Sequence, residues 1–500
     1  MVENQYKWRG GFCLEVNALP NMIVIFGASG DLAGRKLLPA LYQLAKRGLL
    51  HEQSRIIGCA RTVMSEDEYR ESLLKKWFSS FPSEESEQIK SFLRRVFYLH
   101  GNYDDPAFYR KLESGLRKLE KPLDPAMSGR IYYLAVPPEL CRPVVRKMYE
   151  SGLLQEHETG IPWRRVILEK PFGHDYQSAL ELDVSLHQYL KERQIYRIDH
   201  YLGKETVQNI MVLRFANLIF EPVWNANYID FVQITVAESV GVEHRAGYFE
   251  KTGLLRDMFQ NHILEMLSLV AMEIPAGSDA ESIRNEKLKL LKCIRPLQPE
   301  NVIRGQYENY RNEPGIPSGS VTETFAAMEV YIDNRRWRGV PFYLRSGKKM
   351  AKKRSSISIH FKQIPHSVFF PVREEDLAPN VLIMNVQPEE GFSLTIQAKH
   401  PGPKLCIGSL NMDFKYASIL EHGEAIPDSY ERLLLDCMLG DQTLFIRSDT
   451  ILEAWKLLTP VLNDWKTHPD KPLYSYPEGS WGPEEAGCLP RKKKSVWLNQ

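Results

Sequence analysis

The chain has 500 residues, of which 43% are hydrophobic and 25% charged, a composition typical of a globular protein with more than one core. Its 64 basic and 63 acidic residues leave a formal net charge of +1, so no overall field attracts nucleic acid or an anionic membrane. The seven cysteines form no CxxC pair, and no apolar run is long enough to span a bilayer. We therefore expect a cytoplasmic protein without nucleic-acid, membrane or metal partners.

The first recognisable element is an apolar run at residues 22–26, typical of a parallel strand buried on both faces. The turn Gly27-x-x-Gly30-x-x-Ala33 follows it and leads into an amphipathic helix. Its two glycines permit a tight turn and a close backbone approach to a pyrophosphate at the helix N-terminus. A glycine turn alone is weak evidence, but its position directly after a first strand favours a dinucleotide site.

Strand-like and helical patterns then alternate, which predicts a parallel, doubly wound sheet of the Rossmann type. One helix begins with a capping box at Ser65 and Glu68, and another is capped by Asp105 with Pro106 at its first position. The further strand-like runs cover residues 55–59, 97–99, 131–135 and 165–168.

The end of the second predicted strand bears on cofactor choice. An NAD site usually has an acid there for the ribose 2′-hydroxyl, whereas an NADP site has an arginine for the 2′-phosphate. This chain has Ala60-Arg61-Thr62 and no acid. Arg61 could be an ordinary surface arginine, but behind a glycine turn it favours NADP.

Glu169-Lys170-Pro171 closes the fifth predicted strand, and the carboxyl ends of parallel strands are where such sheets bind ligands. We expect Lys170 to project into that cleft, although a simple strand-terminating turn is an alternative. Pro171 fixes the backbone there and could do so through a cis peptide bond. Asp175 then caps a predicted helix that extends to about Arg193.

The stretch 197–209 combines a carboxylate, an imidazole, a phenol and an ammonium group at a strand-to-helix turn, namely Asp199, His200, Tyr201 and Lys204. The last three can converge on a phosphate group. The carboxylate can hold a distant histidine in one tautomer. In isolation a solvated polar turn would explain the same residues.

The remainder predicts an α+β domain with one large, mostly antiparallel sheet. We place an N-terminal extension at 1–20, a dinucleotide domain at 21–198 and the α+β domain at 199–500. Two helical patterns, at 248–272 and 279–291, interrupt the strands. The strand-like runs cover residues 228–236, 322–332, 342–345, 355–361, 381–386, 393–398 and 410–416. Two helices at 429–439 and 450–465 precede a loop-rich tail, in which the basic run 491–494 is expected to be solvated.

Several motifs together resemble the glucose-6-phosphate dehydrogenases over nearly the whole chain. They are GASGDLAGRKLLPALY, EKPFG, RIDHYLGKETVQN, GLLRDMFQNH, RGVPFYLRSGKKM, PDSYERLLLDCMLGDQTLFIR and EAWKLLTP. The third is highly specific. One departure is Gly34, where the family usually has a longer polar side chain; we expect it to change the stiffness of the phosphate turn rather than the chemistry.

The resemblance implies a role for His262, which lies in a helical pattern beside apolar residues and would otherwise be read as a core histidine. It would be the general base that takes a proton from an alcohol, with Asp199 fixing its tautomer. The implied substrate residues are Lys170, His200, Tyr201, Lys204, Glu238, Asp257, Lys348 and Lys353. The implied cofactor residues are Gly27, Ala28, Ser29, Gly30, Asp31, Leu32, Ala33, Lys36, Arg61, Tyr103, Tyr133 and Lys170.

The expected activity is oxidation of glucose 6-phosphate at C1 with NADP, by a homodimer or a dimer of dimers. A sugar oxidoreductase of the glucose–fructose oxidoreductase type is the nearest rival, because it also has Glu-Lys-Pro after a strand. It would not require the phosphate cluster of His200, Tyr201 and Lys204. A non-catalytic nucleotide-binding regulator is a rival of another class; it would be signalled by loss of the base or of the glycine turn.

Overall fold

The computed structural model describes residues 17–79, 81–123, 129–156, 160–420, 426–491 and 495–499. Two sheets organise these residues, one of seven strands and one of nine. The strands are β1 (Asn21–Phe26), β2 (Arg55–Ala60), β3 (Val96–His100), β4 (Gly129–Leu134), β5 (Arg164–Leu168), β6 (Ile195–Ile198), β7 (Ile229–Ala237), β8 (Val302–Tyr307), β9 (Phe325–Tyr331), β10 (Pro341–Gly347), β11 (Arg354–Phe361), β12 (Val381–Gln387), β13 (Gly391–Lys399), β14 (Ile407–Lys415), β15 (Phe445–Ile446) and β16 (Tyr474–Tyr476).

Helices cover the first sheet and one side of the second. They are α1 (Leu38–Lys46), α2 (Glu66–Lys76), α3 (Ser86–Leu93), α4 (Pro106–Glu120), α5 (Pro138–Glu150), α6 (Tyr176–His187), α7 (Glu205–Phe215), α8 (Ala246–Leu254), α9 (Leu264–Ala271), α10 (Ala280–Lys292), α11 (Ser429–Leu439), α12 (Ser448–Thr467) and α13 (Cys488–Arg491). Within the described ranges, none is both long and apolar enough to cross a membrane.

The first sheet is the predicted doubly wound sheet. Its order is β15-β6-β5-β4-β1-β2-β3, and β1 to β6 run parallel, with β1 and β4 buried along their whole length. The Ser65 capping box and the Asp105 cap both form as expected. Because the carboxyl ends of these strands share one edge, the glycine turn, Arg61 and Lys170 all follow strands at that edge.

The second sheet has the order β14-β13-β12-β11-β7-β10-β9-β8-β16. Only the pairs β7–β10 and β8–β16 are parallel, so the prediction of a mostly antiparallel sheet is confirmed. Strands β8, β15 and β16 were not predicted. Strand β8 contains several polar residues, β15 has only two residues, and β16 has three residues in the expected tail. Such segments carry little hydrophobic pattern.

Two helix predictions were wrong in their limits. The helix after Asp175 ends at His187, and a short 3-10 turn at Glu192–Gln194 precedes β6. The pattern 248–272 contains α8, a π-helical segment at Leu255–Ile263 and α9, with a break at Gly253 where φ is 69°. Residues 492–494 of the basic tail lie outside the described residues, and the domain boundaries proposed above stay a prediction.

Candidate active site

Asp199 and His262 meet in the core although they are far apart in sequence. His262 Nδ1 and Asp199 Oδ1 are 2.5 Å apart, and both residues are almost fully buried. Asp199 Oδ1 also accepts a hydrogen bond from the backbone N–H of Tyr201 at 2.9 Å, which orients the carboxylate. The pair has the geometry in which a carboxylate holds Nδ1 protonated and leaves Nε2 to accept a proton.

The electrostatics of this pair favour a neutral imidazole that can act as a base. Burial and the nearby Lys170 ammonium lower the pKa of His262, the Asp199 carboxylate raises it, and the net shift is downward. Burial raises the pKa of Asp199, but the adjacent His262 outweighs this and holds that pKa at about 2. His262 is therefore uncharged near neutral pH and Asp199 is ionised.

Lys170 approaches the other ring nitrogen. Its Nζ lies 3.0 Å from His262 Nε2 and donates to the backbone carbonyl of Asp257 at 2.9 Å. Burial lowers the pKa of Lys170, whereas the carboxylates of Asp257 and Asp199 raise it. The net shift is upward, so the ammonium stays charged. The peptide bond between Lys170 and Pro171 is cis, as the sequence allowed.

Two further carboxylates and a second lysine complete this side of the site. Lys348 Nζ forms an ion pair with Glu238 and lies 3.6 Å from Asp257 Oδ2. Burial raises the pKa of Asp257, but Lys170 and Lys348 hold it well below its usual range. Asp257 thus links the two lysines, and Glu238 faces the cavity with acceptor oxygens for hydroxyl groups.

The cavity that Glu238 faces has a volume of about 900 Å³ and is called the substrate cavity below. Its other wall is formed by His200, Tyr201 and Lys204. The Tyr201 ring stacks on the His262 ring with 4.3 Å between centroids, and Lys204 Nζ lies 5.7 Å from the Tyr201 ring. Lys353 reaches the cavity from the turn before β11. Because these donors lie around one space, they can bind a single phosphate group.

The N-terminus of α7, where free backbone N–H groups favour an anion, is occupied by a carboxylate of this chain. Glu390 Oε2 accepts a hydrogen bond from the backbone N–H of Thr206 at 3.0 Å. The side chains of His200, Tyr201, Lys204 and Lys353 therefore remain as the candidate donors to a phosphate.

A second cavity, called the cofactor cavity below, has a volume of about 530 Å³ and is lined by part of the predicted cofactor set. The predicted residues that line it are Gly27, Ser29, Gly30, Arg61 and Tyr103. The other lining residues are Ala60, Thr62, Ala135, Val136, Pro137 and Leu140. Gly27 has φ of +82°, and a Cβ there would lie 2.1 Å from the carbonyl oxygen of Ala135. The Tyr103 hydroxyl accepts from the Gly27 backbone N–H and donates to Cys59, both at 2.8 Å. The turn is therefore held rigidly in a form only glycine can adopt.

The remaining predicted cofactor residues lie elsewhere. Leu32, Lys36 and Lys170 line the substrate cavity, and Lys36 Nζ is 2.6 Å from Asp428 Oδ2. Ala28 and Ala33 are buried, and Asp31 pairs with Arg35. Tyr133 is buried in β4, where its hydroxyl donates to Glu169.

Gly34, the departure from the family pattern, has a structural cause in this chain. A Cβ on Gly34 would lie 2.1 Å from the indole nitrogen of Trp77. The indole occupies the space into which a longer side chain would project, so glycine and Trp77 fit as a pair.

The sequence analysis missed several residues that line the substrate cavity, including Arg245, Tyr248, Gln387 and Tyr430. Gln387 Nε2 donates to the Tyr201 hydroxyl at 3.1 Å and to Ser355 Oγ at 2.8 Å, so it orients the phenol. Gln387 ends β12 and comes directly before Pro388, a position with no local signal for a site residue.

The two cavities adjoin, because Pro137 lines the cofactor cavity and Pro138 lines the substrate cavity. A nucleotide at the glycine turn can therefore extend toward Lys170 and His262. This arrangement brings the predicted base, the predicted phosphate residues and part of the predicted cofactor set to two neighbouring cavities.

Comparisons with known proteins show the family of this chain. The sequence model of the glucose-6-phosphate dehydrogenase NAD-binding domain matches residues 24–209, and that of its C-terminal domain matches 211–498. Glucose-6-phosphate 1-dehydrogenase of Aggregatibacter actinomycetemcomitans is 44% identical over 489 residues, covering 95% of this chain and 96% of the relative. The chloroplastic enzyme of Spinacia oleracea is 41% identical over 489 residues, covering 95% and 83%.

Solved structures give the same result. A glucose-6-phosphate dehydrogenase in complex with its substrate glucose 6-phosphate superimposes with a TM-score of 0.89 at 35% identity, covering 97% of this chain and all of the other. The Mycobacterium avium enzyme superimposes with a TM-score of 0.81 at 34% identity, covering 96% and 99%. The chain belongs to the glucose-6-phosphate dehydrogenase family.

Proposed function

We propose that this chain oxidises D-glucose 6-phosphate at C1 to 6-phospho-D-glucono-1,5-lactone with NADP, the first step of the oxidative pentose phosphate pathway. The observation that supports this most directly is the buried Asp199–His262 pair facing a cavity that also contains His200, Tyr201 and Lys204. A base alone would suit many alcohols, but a base opposite a phosphate cluster suits a phosphorylated sugar.

In the proposed mechanism, His262 Nε2 takes the proton of the C1 hydroxyl. Asp199 keeps Nδ1 protonated and stabilises the imidazolium that forms. Lys170, which donates to Nε2 in this structure, would donate instead to the C1 oxygen when the hydroxyl replaces it beside His262. When bound, NADP accepts the hydride that leaves C1.

The rest of the sugar would be held by polar and charged groups in and beside the cavity; Asp257 and Lys348 are buried next to its lining residues Lys170 and Glu238. His200, Tyr201, Lys204 and Lys353 would bind the phosphate, while Glu238 and Asp257 would accept hydrogen bonds from ring hydroxyls. Lys348 lies between these two carboxylates and would donate to a sugar oxygen.

The residues at the first sheet's edge fit NADP. Gly27 leaves room for a pyrophosphate where any side chain would collide with Ala135. The guanidinium of Arg61 has no hydrogen bond or ion pair with a described residue, and it lines the same cavity. Gly27, Ser29, Gly30, Arg61 and Tyr103 would hold the nucleotide there.

The test is the absorbance of reduced cofactor with purified protein, comparing glucose 6-phosphate with glucose and NADP with NAD. The proposal expects strong preference for the phosphorylated sugar. A protein of the glucose–fructose oxidoreductase type would reduce its cofactor equally well with free glucose, and a non-catalytic regulator would bind nucleotide without reducing it.

We also propose a cytoplasmic homodimer or dimer of dimers. The six described cysteines are unpaired, as expected in a reducing compartment. Strand β14 is the edge of the nine-stranded sheet and exposes the apolar side chains of Leu410 and Met412 by 52% and 55%. An exposed apolar edge strand is a surface that oligomers commonly cover. Light scattering after gel filtration would show a monomer if this assignment is wrong.

A further inference from the structure

A third cavity adjoins the cofactor cavity on the other side of Arg61. It has a volume of about 690 Å³ and lies between the ends of β2 and β3 and the first turn of α4. Its lining residues are Arg61, His100, Gly101, Asn102, Asp104, Asp105, Ala107, Phe108 and Lys111. Arg61 alone lines both cavities.

Strand register places His100 beside Arg61. Ala60, at the end of β2, pairs with His100, at the end of β3, and the Gly101 backbone N–H donates to the Ala60 carbonyl at 3.0 Å. The segments that follow β2 and β3 therefore still lie side by side at Arg61. Parallel strands present their carboxyl ends to ligands, so Arg61 and His100 share one ligand-facing edge.

Three basic side chains around this cavity are unengaged. Among the described residues, the guanidinium of Arg61, the ring of His100 and the ammonium of Lys111 have no hydrogen-bond or ion-pair partner. Elsewhere on the same helix, by contrast, Arg117 pairs with Glu113. Three free donors that line one cavity are suited to a doubly charged phosphate monoester.

Charged side chains of both signs line this cavity. Arg61 and Lys111 contribute two positive charges, while Asp104 and Asp105 contribute two negative ones. The Asp105 carboxylate is engaged as the cap of α4, where it accepts from the Ala107 backbone N–H at 2.8 Å. The donors of Arg61, His100 and Lys111 are therefore available to an anion in the cavity.

We propose that His100 and Lys111 complete, with Arg61, the site for the 2′-phosphate of NADP. The proposal rests on the proposed function only in its choice of ligand. All three side chains line one cavity, and Arg61 also lines the cofactor cavity beside it.

The experiment uses His100→Gln and Lys111→Met in the full chain, with Lys118→Met as the matched control. Lys118 is also an exposed lysine on α4, but it does not line the cavity. Calorimetry would measure binding of adenosine 2′,5′-bisphosphate and of adenosine 5′-phosphate, which differ only in the 2′-phosphate. The ratio of kcat/KM for NADP to that for NAD would be measured in parallel.

We expect each cavity variant to weaken bisphosphate binding and to lower the NADP/NAD ratio about threefold to tenfold, the size of one exposed charge-assisted contact. Binding of adenosine 5′-phosphate should stay unchanged.

Unchanged bisphosphate binding in both variants would overturn the proposal, as would equal losses for the two adenosine phosphates. If the parent protein reduces neither cofactor with glucose 6-phosphate, the proposed function fails, while the calorimetric comparison still decides this inference.

Discussion

Lys170 Nζ lies 3.0 Å from His262 Nε2, so the ammonium of one residue occupies the lone pair that the reaction needs. The carboxylate of Asp199 is bonded to the other ring nitrogen. His262 is thus held between a positive and a negative group that act on its pKa in opposite directions. Replacing either neighbour should move the acid limb of the pH profile, and the two shifts should differ in sign.

Asp199→Asn should move the acid limb of kcat/KM to lower pH. The carboxylate raises the pKa of His262 against the lowering effect of burial, so its loss lets that pKa fall further. We also expect kcat to fall roughly a hundredfold or more, because an amide can favour the wrong tautomer. A limb that moves to higher pH would contradict this account of the pair.

Lys170→Met should move the same limb to higher pH. The ammonium lowers the pKa of His262, so removing it lets the histidine hold its proton at higher pH. The variant also loses a donor to the reacting oxygen, which we expect to reduce kcat by about tenfold to a thousandfold. An unshifted limb would show that Lys170 does not act on the base.

Lys204→Ala and Lys353→Ala should separate phosphate binding from chemistry. Each should raise the KM for glucose 6-phosphate by about tenfold or more and leave the slow oxidation of free glucose nearly unchanged. Lys352→Ala is the control, since Lys352 is exposed in the same turn but does not line the cavity. Equal losses with both sugars would place these lysines in the fold or the chemistry instead.

Arg61→Ala should raise the KM for NADP far more than the KM for NAD. A charge-assisted contact with the 2′-phosphate contributes about 1.5–3 kcal/mol, roughly tenfold to a hundredfold in affinity. Arg110→Ala, an exposed arginine on α4 outside both cavities, provides the control. A variant with the parental NADP/NAD preference would rule out this role for Arg61.

Gly27→Ala should destabilise the protein more than Gly48→Ala. Both glycines have positive φ, but only at Gly27 would a Cβ meet backbone, whereas at Gly48 it would meet open space. Gly48→Ala therefore measures backbone strain of about 1 kcal/mol, and Gly27→Ala adds a collision at the cofactor turn. Thermal unfolding of the two variants side by side tests this; equal midpoints would contradict it.

The sequence predicted the first sheet well because its signals are local. Buried parallel strands appear as continuous apolar runs, and the Ser65 and Asp105 caps mark where helices begin. The limits of the helix around His262 were harder to predict, since its break depends on Gly253 and its interior is π-helical rather than α-helical. Periodicity assumes one regular helix and cannot register either feature.

The site residues also differ in how well the sequence predicts them. Asp199, His200, Tyr201 and Lys204 share one contiguous motif and could be singled out from their types and spacing. Gln387, by contrast, reaches Tyr201 only because β12 lies in the sheet beside β11. A contact between distant segments leaves no trace in either segment alone, so the structure was needed to find it.

The measurement that tests the central claim most directly is the turnover of His262→Asn with saturating glucose 6-phosphate and NADP, together with its affinity for the sugar phosphate. Asparagine keeps a hydrogen-bond donor but cannot take up a proton, so kcat should fall by about 10²–10⁴-fold while binding of glucose 6-phosphate is retained. The remaining activity should also lack the acid limb of the parent. A variant with parental kcat and the same acid limb would contradict the assignment of His262 as the base.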